Sequence, residues 1–176
     1  MKKILFFLPL LIISSCATPY NTYKVEIIND EFDGYKIERM YGNYLADDPV
    51  LPSLSVMFNA QRFTDKDGLV TYQLHVEYNG SDWLFIDPGE TLVLLIDGER
   101  VGLIGYGSEN HREVISGMSV GVRETSIFDA DKFVLKQIAN AKSVKLKLTG
   151  RSRNIQLELT KEHIDNYKKF VEYLGI

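Results

Sequence analysis

The sequence predicts a mainly β, α+β protein: an antiparallel β-sandwich or barrel-like sheet with two helices of the C-terminal half packed on it. Three observations predict it. Apolar and polar residues alternate in strand-length runs from Tyr23 to Ile127, the period that turns one face of a strand toward a core. Turn-forming pairs such as Asp33-Gly34, Asn79-Gly80 and Asp97-Gly98 punctuate these runs, at spacings typical of hairpins and too short for the helices of parallel crossovers. Helical periodicity begins only near residue 129.

Taken in order, Tyr23–Ile28 and Tyr35–Tyr44 are the first strands, joined through Asp33-Gly34, and Leu54–Phe63 follows a turn at Asp47-Asp48-Pro49. Leu69–Tyr78 alternates most cleanly. Val70, Tyr72, Leu74, Val76 and Tyr78 form its buried face, and Thr71, Gln73, His75 and Glu77 its wet face. Trp83–Ile86 is a further short strand. Thr91–Ile96 is apolar on both faces, which predicts a central strand covered on two sides. Asp97-Gly98 favours a type I′ turn that returns Glu99–Tyr106 beside it, and Glu113–Ile115 and Val120–Ile127 complete the β-rich part.

The first helix runs from about Ala130 to Ala141, with Asp129 as N-cap and Phe133, Val134, Ile138 and Ala141 as its apolar stripe. A hairpin follows, with Val144, Leu146 and Leu148 alternating with lysines, a turn over Gly150 to Arg153, and Ile155, Leu157 and Leu159 returning. Thr160 caps the last helix, Ile164, Tyr167, Phe170, Val171 and Leu174 share one side, and Gly175 ends it. No repeat or linker divides residues 23–176, which read as one domain. A boundary near residue 129 would leave the late hairpin without a partner for its apolar face.

The N-terminus reads differently. Met1-Lys2-Lys3 precedes an apolar run from Ile4 to Ile13, then Ser14-Ser15-Cys16. This is the shape of a secretory signal; the run contains Pro9 and is about half the ~20 residues of a spanning helix. Cys16 is the only cysteine. Ile13-Ser14-Ser15-Cys16 resembles the lipobox of bacterial lipoproteins. The resemblance covers residues 1–16 and implies that residues 1–15 are removed, that the thiol of Cys16 carries a diacylglyceryl group, and that lipid is the chain's membrane partner. Ala17 stands where aspartate marks inner-membrane retention in proteobacterial lipoproteins, so the resemblance points to the outer membrane facing the periplasm, with another membrane or the cell surface as alternatives. Ala17 to Thr22 form a tether that reaches ~20 Å at full extension. With its thiol acylated, the exported domain has no disulfide framework.

Catalytic signals are sparse. No Gly-x-Ser-x-Gly, Ser-x-x-Lys or His-Glu-x-x-His motif occurs. The three histidines, His75, His111 and His163, are far apart, and solvated surface positions are the plain reading of each. His75 has Glu77 on the same strand face as a carboxylate able to orient a general base. Asp65-Lys66-Asp67-Gly68 lacks the remaining ligands of a calcium loop and reads as a hairpin turn; Gly105-Tyr106-Gly107-Ser108 leads into no helix and reads as a bend. No metal site or cofactor is assigned. Tyr35, Tyr41 and Tyr44, on a strand with Glu38, Arg39 and Asn43, suit packing or a face for a glycan or peptide.

Charge is uneven. Lys142, Lys145, Lys147, Arg151 and Arg153 gather around the late hairpin, with Lys145 and Lys147 on its exposed face. This surface suits an anionic partner: a lipid headgroup, a glycan carboxylate or an acidic envelope protein. Net charge is −4, and with the export signal this argues against nucleic acid. Three functions remain. The first is a lipid-anchored, non-enzymatic envelope protein that binds or assembles. The others are an exported hydrolase or glycan-modifying enzyme using His75 and Glu77, and a carrier of a small apolar ligand.

Overall fold

The structure, a computed structural model, describes residues 22–46, 54–115 and 119–176. Cys16 and the Asp47-Asp48-Pro49 turn lie outside the described residues. The elements are β1 (Lys24–Asp30), β2 (Tyr35–Tyr41), β3 (Tyr44–Ala46), β4 (Leu54–Thr64), β5 (Val70–Gly80), β6 (Pro88–Ile96), β7 (Glu99–Ile115), β8 (Ser119–Ala130), α1 (Lys132–Asn140), β9 (Val144–Thr149), β10 (Asn154–Glu158) and α2 (Lys161–Leu174). Ten antiparallel strands make one sheet in the order β1-β2-β4-β5-β8-β7-β6-β9-β10, with β3 also on β4. The mainly β class with two late helices is therefore as the sequence predicts. The sheet is single, and it curls until β10 approaches β3. The late hairpin joins it through β9 on β6.

Register explains the core. Val56, Phe58 and Ala60 of β4 pair with Tyr78, Val76 and Leu74 of β5, which pair in turn with Glu124, Ser126 and Phe128 of β8. These share one face, and all are buried. Helix α2 closes over the β2–β3–β4 end of that face. Tyr167 donates to the carbonyl of Phe58 at 3.2 Å, Asn166 to that of Gly42 at 3.2 Å, and Tyr173 to Glu38 Oε1 at 3.0 Å. Helix α1 packs between α2 and β8. Tyr167, Phe170, Leu135 and Ile138 are fully buried in the core.

Several local expectations change. Tyr35–Tyr44 is broken at Gly42, whose φ of 114° only glycine adopts without strain; the chain thus steps from β2 to β3. Glu99–Tyr106 and Glu113–Ile115 merge into β7, and the glycine cluster is a bulge inside it, with the register against β8 shifting between Gly105 and Ser108. The Asp97-Gly98 turn has positive φ at both residues, 49° and 91°, as a type I′ turn requires. Thr91–Ile96 is central but covered on one face only: Leu92, Leu94 and Ile96 are buried while Leu95 is exposed. Asp131 caps α1 in place of Asp129, accepting from the Val134 amide at 2.8 Å. The buried side of the helix carries Leu135, Ile138 and Ala139, and Phe133 of the predicted stripe is exposed.

Trp83–Ile86 is not a strand. Its backbone amides are taken by a side chain: Glu124, fully buried on β8, accepts from the amides of Leu84, Phe85 at 2.9 Å and Ile86 at 3.1 Å. Phe85 has a φ of 56°, so that successive N–H groups converge as an anion-binding nest. The segment becomes a strap across the core face.

Candidate functional site

The opposite face of β4, β5 and β8 carries the polar residues. By alternation, Asn59 and Gln61 of β4 sit beside His75 and Gln73 of β5, with Ile127 and Asp129 of β8 next in register. This is the face predicted to be wet. Asn59 and Gln61 are each 1% exposed and His75 6%, and a wall stands on each side of His75. Arg39 and Tyr41 of β2 form one wall, and Tyr106 to Glu109 of the β7 bulge form the other. Between them lies a groove of about 710 Å³ whose floor includes Gln73, His75, Glu77, Arg123 and Thr125.

Two hydrogen-bonded ladders run along this sheet face. In the first, Arg39 donates through Nε to Gln61 Oε1 at 2.7 Å, and Gln61 donates through Nε2 to Gln73 Oε1 at 2.6 Å. In the second, Arg123 Nε lies 3.3 Å from Glu77 Oε1, and Asn79 donates to the same oxygen at 3.1 Å. His75 sits between the ladders. Its Nδ1 has no hydrogen-bond partner, nor has Oδ1 of Asn59 on the adjoining strand, and unpaired buried polar atoms cost ~1–3 kcal/mol each. The second wall exists because of two glycines. A Cβ on Gly105 would lie 2.6 Å from the Phe128 ring, and Gly107 has a φ of 89°. Together they turn Tyr106 outward, where its hydroxyl donates to Asp129 Oδ2 at 2.7 Å.

Electrostatics keep the floor neutral at its centre. Burial first, and the Arg39 charge second, push the His75 imidazole down to about 3. The unfolded chain, with an ordinary value near 6.5, takes up a proton as pH falls through that value while the folded chain does not. Stability from neutral His75 is thus present above about pH 6.5 and lost toward pH 3, at ~1.4 kcal/mol per pH unit. In urea titrations, wild type should lose ~2 kcal/mol more than His75→Gln between pH 6.5 and 4.5, and the His75 ring resonances should not titrate between pH 8 and 5. A midpoint near 6.5 would contradict the burial.

The chain matches no known protein family, curated protein or solved structure. Function has to be read from the groove itself.

His75 and Glu77, paired in the sequence reading, do line one groove, though His75 is buried and not solvated. They are not assembled as a base and its orienting acid: Glu77 is engaged by Arg123 and Asn79, and the imidazole Nδ1 is unpartnered. His163 is also buried, and its Nδ1 accepts from the Thr160 amide at 3.2 Å in a capping box of α2. Asp65 Oδ1 accepts from the amides of Asp67 and Leu69 at 2.9 and 2.8 Å, so Asp65-Lys66-Asp67-Gly68 is the turn the sequence predicts. Among the described residues no three of His, Cys, Asp and Glu gather as a metal site, and no helix is long and apolar enough to cross a membrane.

The basic hairpin is less available than its sequence suggests. Arg151 forms a two-pronged pair with Asp87 at 2.5 and 2.9 Å, and Arg153 donates to Tyr78 Oη at 2.6 Å. Lys145 stands 3.9 Å from Glu158, and with Lys147 it flanks a shallow face bearing Val93 and Leu95. Of the tyrosines singled out, Tyr41 reaches the groove and Tyr35 packs on Phe63. Glu38 is buried against Arg62 and Tyr173, and Asn43 is buried against α2. Arg39, Gln61, Tyr106 and Arg123 were not singled out as one site. Only strand order brings them together, since β8 inserts between β5 and β7.

Proposed function

We propose that this chain is a lipid-anchored cell-envelope protein that binds a polar ligand in the groove between β2 and β7. The buried polar floor carries the reading. A sheet face meant for water leaves its polar side chains solvated, whereas here His75, which lines the groove, is removed from solvent and its Nδ1 is left unpaired. Such a floor is costly in isolation and suits a concave site with a few convergent polar groups. The lipobox supports the location, and the short tether keeps the groove near the membrane.

In-cell photo-crosslinking tests it. A photoreactive residue at Thr125 in the groove should trap an envelope component from the membrane fraction that the same probe at Lys147 does not, and Cys16→Ser should abolish fatty-acid labelling. Equal trapping from both positions would overturn binding in the groove, and persistent labelling of the Cys16 variant would overturn the anchor.

A further inference from the structure

We infer that the ligand of this groove is a neutral saccharide, with one sugar ring on the face of Tyr106 and its hydroxyls on Gln73, His75 and Thr125. The inference rests on the reading of the groove as a binding site.

Charge selects against ions. The lining cations, Arg39 and Arg123, are matched by Glu77 and Glu109, and Arg123 is engaged with Glu77 at 3.3 Å. An anion attracted to Arg39 meets acids across the groove, and a cation attracted to Glu109 meets arginines. A neutral ligand incurs neither penalty.

The floor offers hydrogen bonds in the pattern a polyol uses. His75 is 6% exposed and lines the groove, while its unpartnered Nδ1 is itself enclosed within the floor. As a neutral imidazole it supplies one acceptor and one donor nitrogen, and Gln73 and Thr125 add groups that both donate and accept. A sugar hydroxyl, itself donor and acceptor, matches whichever character the ring presents at the groove. A purely cationic or anionic group satisfies only one.

The wall supplies a platform. Tyr106 is 67% exposed, yet its hydroxyl is tethered to Asp129 at 2.7 Å and its backbone is set by the bulge. An exposed but immobilised ring offers large contact area at small entropic cost. Tyr41, on the facing wall, has Lys24 Nζ 4.9 Å over its ring, so the stacking surface is Tyr106.

The experiment uses the full lipidated chain in detergent micelles, with ligand-observed NMR and calorimetry. Maltotriose and chitotriose are the neutral probes, trigalacturonate the anionic one and trilysine the cationic one. At least one neutral trisaccharide should bind, with both charged probes weaker by about tenfold or more. Thr125→Trp, which fills the groove, should abolish binding. Tyr106→Ala, at an exposed position that leaves the core intact, should weaken it about tenfold, and Tyr106→Phe, which keeps the ring, by less than about threefold. If a charged probe binds more tightly than both neutral ones and is lost in Thr125→Trp, the groove binds but the saccharide assignment falls. If no probe shows binding sensitive to Thr125→Trp, groove binding and the saccharide assignment both fall. Unchanged binding by Tyr106→Ala would overturn the platform.

Discussion

Replacing Glu124 with alanine should lower stability by about 4 kcal/mol, because it leaves several buried donors without an acceptor. The carboxylate is fully buried and accepts from the consecutive amides of Leu84, Phe85 and Ile86 and from the Ser108 hydroxyl at 2.9 Å. For a chain of this size the thermal midpoint should fall by about 10 °C or more. Glu124→Gln keeps the shape but turns an NH2 group toward donors, so roughly half the loss should remain. Amide hydrogen exchange locates the effect: protection should vanish first at Leu84 to Ile86. A variant as stable as wild type, with those amides still protected, would show that the strap is held by its apolar side chains alone.

Gly150→Ala should cost about 3 kcal/mol by a different route to the same strap. Gly150 does not have a positive φ, so alanine fits its backbone and the effect is steric. The added Cβ would collide with the Leu84 carbonyl oxygen and press on the Leu84 side chain. Leu84 cannot retreat cheaply. Its amide is held by Glu124, its carbonyl accepts from the Ser152 amide at 3.3 Å, and the Phe85 carbonyl accepts from the Arg151 amide at 3.1 Å. Because both substitutions release one segment, their effects should be less than additive in a double-mutant cycle of chemical denaturation. Simple additivity would mean that the turn after β9 and Glu124 act on separate parts of the fold.

The strap matters to the groove because the two faces of β8 are coupled. Glu124 and Ser126 anchor the core face, while Arg123, Thr125 and Ile127 line the groove. The Ser108 hydroxyl that donates to Glu124 belongs to the bulge that carries Tyr106. Loss of the strap therefore removes a support of the groove wall as well as part of the core.

Local chemistry made much of the fold legible. The Asp97-Gly98 turn, the Thr160 and Gly175 caps and the β9–β10 hairpin depend on neighbours in sequence, and each occurs where its residues place it; the alternation of β5 holds for Leu74, Val76 and Tyr78 but not for Val70, which is exposed, or His75, which is buried. Elements whose partners are distant were misread. Trp83–Ile86 has strand-forming composition, yet its hydrogen bonds go to a glutamate some forty residues later. The N-cap of α1 moved two residues because Asp131 competes with Asp129, and Asp129 is engaged by Tyr106.

The site divides in the same way. His75 and Glu77 were visible as neighbours on one strand face, and period-two alternation sufficed to put them together. Whether that face was wet depended on curvature, which no local pattern encodes: alternation separates the two faces of a strand without saying what stands over either. Arg39, Gln61, Tyr106 and Arg123 are scattered along the chain and are brought together only because β2, β4, β5, β8 and β7 are successive in the sheet. The sequence by itself determined the β-class, the Asp97-Gly98 turn, the caps of the last helix and the expectation of an acylated Cys16, all properties of short segments and their intrinsic chemistry. Tertiary structure alone decided that a polar face would be buried, that one carboxylate would replace a strand's partners, and that two walls would enclose a neutral histidine, because burial and charge environment are set by what long-range pairing brings near.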